Sequence, residues 1–175
     1  MWYVMQVRSG TEHKTLAKLK SLIDSEILEQ GFIPLYEQKK RYQGKWHVEE
    51  KILFPGYVFL VTEQIEELIQ ELSRVVGSSR ILKTGDEIVP LTDEEVALLL
   101  RMGNKDQKVE MSIGIIENDK VRITSGPLVG MEGAIKKINR HKRIAWLSIE
   151  MFGSITDCQV GLEIIEKIDE SHHTA

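Results

Sequence analysis

The sequence predicts an α+β chain built in two parts. An N-terminal ferredoxin-like α/β sandwich takes residues 1–102, a flexible linker 103–117, and a C-terminal five-stranded β-barrel 118–168. Three observations predict this. Apolar spacing in the first part follows the order strand, helix, strand, strand, helix, strand, with a last helix after it. The stretch Met102-Gly103-Asn104-Lys105-Asp106-Gln107-Lys108 then loses apolar periodicity. Beyond it, short alternating runs near 119–124, 131–139, 142–150, 155–160 and 163–167 are cut by turns at Gly126-Pro127, Arg140-His141 and Phe152-Gly153, the punctuation of a small all-β barrel. Residues 169–175 read as a disordered tail.

Each element has its own signal. Trp2 to Arg8 is rich in strand formers. Ser9-Gly10-Thr11-Glu12 offers a helix start, with Ser9 or Thr11 as the cap. Leu16, Leu19, Ile23 and Ile27 continue one apolar helical stripe, and Gly31 ends it. Phe32-Ile33-Pro34-Leu35-Tyr36 reads as a second strand that runs out into Lys39-Lys40-Arg41 and turns near Gln43-Gly44. The chain returns through Trp46-His47-Val48 into Ile52–Val61, its most apolar segment. Pro55 would break a central strand, so an edge or bulge is expected before it and a core strand after it. Ile65, Leu68, Ile69 and Leu72 give a second amphipathic helix. Ile81-Leu82-Lys83 and Ile88-Val89-Pro90-Leu91 are extended pieces around a Gly85-Asp86 turn. Thr92-Asp93-Glu94-Glu95 is a capping-box start for a third helix carrying Val96, Leu99 and Leu100.

Composition narrows the class. With 42% hydrophobic residues the chain can bury one core or two small ones. The 23 basic and 27 acidic residues leave a net charge of −4, so the whole chain is no polycation for nucleic acid. Phosphate contact has to come from a local patch, acting within about a Debye length of roughly 8 Å. The single cysteine, Cys158, excludes an internal disulfide and speaks against a thiolate metal site. No apolar run approaches the roughly 20 residues that span a bilayer. The opening residues are too few and too polar for a signal peptide. A cytoplasmic protein without membrane contact is the expectation.

Enzyme motifs fail in turn. Gly126-Pro127-Leu128-Val129-Gly130-Met131-Glu132-Gly133 is glycine-rich, but no Lys-Ser/Thr follows, and a strand rather than a helix comes next. Structural turns explain those glycines better. His13, His47, His141, His172 and His173 are scattered, with no metal-ligand spacing. Glu63 to Glu71 carries four carboxylates around an apolar stripe, the pattern of a solvated helix face. Cys158 has no neighbouring base and reads as a buried thiol. Neither a catalytic set, a cofactor nor a metal site is expected.

Three features point to binding. Phe54-Pro55-Gly56-Tyr57 is either a core bulge or an exposed aromatic patch at a kinked edge. Met151-Phe152-Gly153-Ser154 places an aromatic at a barrel turn. Lys136, Lys137, Arg140, His141, Lys142 and Arg143 put five positive charges, His141 being neutral, on one hairpin with no acid between them. Such a hairpin is either a solvated tip or a phosphate-contacting finger.

In order, these residues resemble the NusG family of transcription elongation factors. Trp2-Tyr3-Val4 with Ser9-Gly10 is similar to the family's opening strand. Phe54-Pro55-Gly56-Tyr57-Val58 matches its Phe-Pro-Gly-Tyr-Val strand. Pro90-Leu91-Thr92-Asp93-Glu94-Glu95-Val96 resembles the helix start after its last N-terminal strand. Val121 to Gly133, with Ser148-Ile149 and Met151-Phe152-Gly153, resembles its KOW barrel. The resemblance implies an NGN-type N-terminal domain that binds the clamp coiled coil of RNA polymerase, bridges the cleft over the DNA and suppresses pausing. It also implies a KOW domain that recruits a second partner, such as Rho or a small-subunit ribosomal protein. By position, Phe54, Pro55, Gly56 and Tyr57 would line the polymerase-facing patch, with Val4 and Gln6 on the neighbouring strand. Met151, Phe152 and Ser154 would form the barrel segment that meets a protein partner.

Two departures from the family pattern matter. Ser154 stands where general members carry Arg or Lys after the Phe-Gly. The turn Asn139-Arg140-His141-Lys142-Arg143 is more basic than usual. Both make the chain most similar to the specialised LoaP-type processive antiterminators. That resemblance implies processive antitermination on selected long operons, with a structured leader in the nascent RNA helping recruitment. The charge of Lys136, Lys137, Arg140, His141, Lys142 and Arg143 makes them the expected RNA contacts, and a monomer is expected. The alternative is a housekeeping adaptor that couples polymerase to Rho or the ribosome through protein contacts alone.

Overall fold

In chain order the elements are β1 (Trp2–Gln6), α1 (Glu12–Leu22), β2 (Gln30–Phe32), β3 (Leu35–Tyr42), β4 (Lys45–Ile52), β5 (Tyr57–Val61) and α2 (Ile65–Val76). There follow β6 (Lys83–Thr84), β7 (Glu87–Ile88), α3 (Asp93–Met102), β8 (Lys108–Val109), β9 (Ser112–Glu117) and β10 (Lys120–Ser125). After a short 3₁₀ turn, Glu132–Ala134, come β11 (Ile135–Asn139), β12 (Ile144–Met151) and β13 (Ser154–Ile168). This is a computed structural model that describes residues 1–77 and 80–169. The expected tail, with His172 and His173, falls outside them from residue 170 on. Among the described residues no helix is long and apolar enough to cross a membrane. The α+β class is as the sequence predicts, an α/β part followed by a β-rich part.

The chain divides into two compact units, Met1–Pro34 with Phe54–Leu98, and Leu35–Leu53 with the chain from Leu99 on. The β3–β4 hairpin, placed by sequence in the first part, groups with the second.

In the first unit β5 lies between β1 and β2, antiparallel to both. An aromatic row fills the core. Trp2 meets Phe32 edge to face at 5.1 Å, Phe32 lies 5.4 Å from Phe59, and Phe59 stacks on Phe54 at 6.0 Å. Offset and edge contacts of this kind add about 0.5–1.5 kcal/mol each beyond their buried area. Leu68 and Leu72 of α2 and Leu16 and Leu19 of α1 are buried. The first helix ends earlier than its stripe suggests. Asp24 accepts the backbone N–H groups of Ile27 and Leu28 on its carbonyl and that of Glu26 on its carboxylate, which turns the chain. Gly31 then lies in β2, opposite Leu60, and does not stop a helix. At the start of α1, Thr11 holds the cap position, but its hydroxyl donates to the Arg8 carbonyl. The Glu12 carboxylate accepts the Gly10 N–H instead. At α3 the capping box forms as read: Glu95 N donates to Thr92 Oγ1 at 3.1 Å, and Thr92 N to Glu95 Oε1 at 2.9 Å.

The second unit holds a five-stranded sheet in the order β10-β9-β13-β12-β11. Its strand number agrees with the sequence, but its membership does not. The segment 103–117, expected to be a flexible linker, supplies β8 and β9, and β9 pairs with both β10 and β13. The runs at 155–160 and 163–167 are one strand of 15 residues, β13. Gly161 lies between those two runs. It is the point where another backbone passes. A Cβ there would lie 2.2 Å from the Glu37 carbonyl oxygen and 2.2 Å from Met111 Sδ. Glycine lets β3 cross β13, and the hairpin is fastened by Tyr36 Oη donating to Gln159 Oε1 at 3.3 Å and Gln38 Nε2 donating to Lys142 O at 3.1 Å. The apolar side of the sheet buries Ile123, Leu128, Leu147, Met151, Val160 and Leu162.

Gly161→Ala places a methyl group against a backbone oxygen that has nowhere to go. Overpacking of this kind should cost about 1–3 kcal/mol. Urea unfolding of the full chain measures it, and an unchanged midpoint would mean that β3 does not pass this close.

Candidate functional site

In the first unit the Phe54–Tyr57 segment forms a tight turn before β5. Tyr57 N donates to Phe54 O at 3.3 Å, Pro55 takes the first central place, and Gly56 the second, at φ +87°. Pro followed by a residue of positive φ is the type II arrangement. Val7 N donates to Gly56 O at 2.8 Å and ties the turn to the end of β1. Pro55 is exposed, Tyr57 half-buried, and Gln6 exposed beside it, its Nε2 donating to Tyr57 Oη at 3.5 Å. The other two residues read for this patch are not on the surface. Phe54 is 3% exposed and Val4 2%. Phe54 turns inward to stack on Phe59. Val4 has buried neighbours on both sides, Tyr3 and Met5, and both edges of its strand are taken. One edge pairs with β5, and on the other Leu82 N donates to Val4 O. The surface here is therefore Gln6, Pro55, Gly56 and Tyr57, carried on an aromatic core.

In the second unit two turns carry the remaining candidates. Met151 pairs with Ser154, leaving Phe152 and Gly153 as a two-residue loop with φ of +60° and +75°. Positive φ at both places is what a type I′ hairpin requires, and Asn-Gly is its usual filling. A bulky aromatic at such a φ is strained, by about 1–3 kcal/mol. Phe152 is half-buried, Met151 fully buried and Ser154 exposed. Only Phe152 and Ser154 of the three can meet a partner.

The basic hairpin is split by its surroundings. Lys136 Nζ lies 2.8 Å from Asp157, whose carboxyl is held below its ordinary value by Lys136 first and by Ser148 second. Lys137 lies over the Trp146 ring at 5.0 Å. Arg140, His141 and Lys142 stand exposed at the tip, where Lys142 N donates to Asn139 Oδ1 at 2.9 Å. Arg143, at φ +56°, folds its side chain so that Nη1 donates to the His141 carbonyl at 3.3 Å. Its guanidinium lies 3.9 Å over the Trp46 ring and its Nε 3.8 Å from Glu163. The same Trp46 ring carries Lys39 at 5.1 Å and Arg41 at 5.7 Å. Sequence reading passed over Trp46. Its signal was an indole in an otherwise polar, charged strand, where no core position calls for one.

Comparison with known proteins also finds two parts, with a different boundary. The family model described as "Transcription termination factor nusG" matches residues 1–100, and the one described as "KOW motif" matches 117–150. The first range takes in the β3–β4 hairpin, although the hairpin packs in the second unit. "Transcription termination/antitermination protein NusG" of Staphylococcus aureus strain Mu50 is 30% identical, over 95% of this chain and 95% of that one. The protein of the same name from Haemophilus influenzae is 29% identical, over 95% of this chain and 94% of that one. A solved structure, described as "Domain interaction in Thermotoga maritima NusG", superposes with a TM-score of 0.53 at 24% identity, covering 91% of this chain and 92% of that one.

Among the described residues no group of three or more His, Cys, Asp or Glu side chains is placed to hold a metal ion. Cys158 lies inside the sheet at 5% exposure, and burial, helped by Asp157, pushes its thiol up to about 12. At pH 8 only about one thiol in ten thousand would be thiolate, the reactive form. An aromatic disulfide reagent should therefore leave the folded protein unlabelled over minutes and react at once in denaturant. Fast labelling of the native chain would contradict the buried placement.

Proposed function

Because this chain belongs to the NusG family of transcription termination and antitermination factors, we propose that it is a processive antiterminator of the LoaP type, held on RNA polymerase by its first unit and on nascent RNA by its second. Members of the family act by binding, not by catalysis. In this reading Gln6, Pro55, Gly56 and Tyr57 meet the clamp coiled coil of polymerase, while Phe54 and Val4 hold that turn rigid from beneath. Arg140, His141 and Lys142 contact a structured leader in the RNA. The work is done by a single copy in the cytoplasm, on selected operons.

The observation that carries the RNA half is the exposed tip Arg140–Lys142, on the segment that matches the KOW motif. The tip has no acid among its residues, in a chain of net charge −4. Once the first unit is on polymerase, emerging RNA is at high effective concentration, so a weak contact suffices. A second reading has its own support. The strained Phe152 turn displays an aromatic beside exposed Ser154, as an adaptor for Rho or a small-subunit ribosomal protein would need. Titrating the full chain with that ribosomal protein, and separately with leader RNA, separates the two.

Tyr57→Ala should weaken polymerase binding by at least about 2 kcal/mol, near 30-fold, with the fold intact. Unchanged affinity would remove Tyr57 from the interface. Arg140→Ala with Lys142→Ala should weaken RNA binding and lower the slope of log affinity against log salt by about 1.4–1.8. RNA binding that ignores salt and both residues rules the tip out.

A further inference from the structure

The exposed tip opens, within the second unit, onto a cleft of about 660 Å³ whose other wall is the β3–β4 hairpin. Lys39, Lys40, Arg41 and Lys51 line it from the hairpin, and Lys142 and Arg143 from the tip. Two carboxylates answer these six cations. Glu49 pairs with Lys40 at 3.2 Å, and Glu163 is shared between Lys39 at 3.2 Å and Arg143 at 3.8 Å. The excess is positive although the chain is net negative.

The arrangement inside the cleft is short of an anion. Lys40 and Lys51 are in contact with one carboxylate between them. The Lys40 side chain lowers the Lys51 ammonium below its ordinary value, with burial second, whereas Glu49 first and Lys51 next raise Lys40. A further negative charge at this point would offset the repulsion between the two amines. At the rim Tyr42, 47% exposed, stacks on His47 at 3.7 Å and offers a platform for a base.

We infer that the cleft is a second seat for the RNA backbone, in which Lys40 and Lys51 of the hairpin take phosphates of the strand that the Arg140–Lys142 tip contacts. The inference rests on the RNA reading of the tip and extends it to a part of the chain that the KOW match does not include. The six cations are four lysines and two arginines, all of them donors suited to phosphate oxygens. The cleft is also continuous with the tip through Lys142, and that continuity favours RNA over an acidic protein.

The test uses the full chain and a labelled RNA hairpin of about 20 base pairs and arbitrary sequence, titrated between about 50 and 200 mM salt. A DNA hairpin of the same sequence and a polyglutamate competitor form the other arms. Lys40→Ala with Lys51→Ala should flatten the salt slope by about 1.4–1.8, and Lys40→Arg with Lys51→Arg should restore it. Lys83→Ala with Lys120→Ala, outside the cleft, should leave it nearly as it was. If the Lys40 and Lys51 alanine pair has no effect while Arg140→Ala with Lys142→Ala still flattens the slope, the cleft is overturned and the tip stands alone. If neither pair matters, the RNA reading of the tip fails and the cleft falls with it. DNA bound as tightly as RNA, or polyglutamate displacing RNA at equal charge, would overturn the assignment to RNA. Thermal melting of each variant confirms that it is folded, and the arginine pair keeps the comparison valid if the alanine pair is not.

Discussion

At residue 161 two backbones come closer than any side chain would permit, and most of the second unit follows from it. With no Cβ there, the Glu37 carbonyl can lie across β13. That crossing lets Tyr36 reach Gln159 and Gln38 reach the Lys142 carbonyl. Those bonds in turn set Trp46 beneath Arg143 and bring Lys39 within reach of Glu163. The charged groups are thus placed by neutral contacts. Two half-exposed ion pairs would not hold a hairpin alone, since such pairs contribute about 0–1 kcal/mol each. The buried amide and phenol do more, because an unmet polar group inside costs more than a met one returns.

The first unit solves a different problem with a similar device. A turn proposed to bind a partner gains by being stiff, which avoids an ordering cost on association. Here the stiffness comes from below. Phe54 enters the turn from the aromatic row of the core, Pro55 fixes its own backbone, and the Val7 N–H anchors the Gly56 carbonyl. The residues that make the turn recognisable in sequence are therefore not all residues that a partner can touch. Two of them work as foundations.

This explains how far the sequence could be read. Local chemistry was legible: the Thr92–Glu95 capping box, the Gln43-Gly44 and Phe152-Gly153 turns and the alternating strands all obey short-range rules. The failure of each enzyme motif also led to a non-catalytic protein, as the family is. What stayed hidden depends on contacts between distant residues. The runs 155–160 and 163–167 look like two strands, because nothing near Gly161 in sequence tells of Glu37. Residues 103–117 look like a linker, because β8 and β9 are short and find their partners in β3, β10 and β13. Lys136 and Arg143 look like free charges of a tip, because Asp157, Trp46 and Glu163 lie on other strands. Phe54 and Val4 look exposed only if the core beneath them is ignored.

The distance between the hairpin and its seat also bears on how the chain is made. Tyr36 bonds to a residue 123 positions later. At about 5–20 residues per second, the hairpin leaves the ribosome roughly 6–25 s before its partner strand leaves it. For that time its edges are open to pairing with other nascent chains. Lys39, Lys40, Arg41, Lys45 and Lys51 repel such company, in the manner of gatekeepers beside an exposed strand. The charges that line the cleft of the finished protein would first have kept an unfinished one apart from its copies.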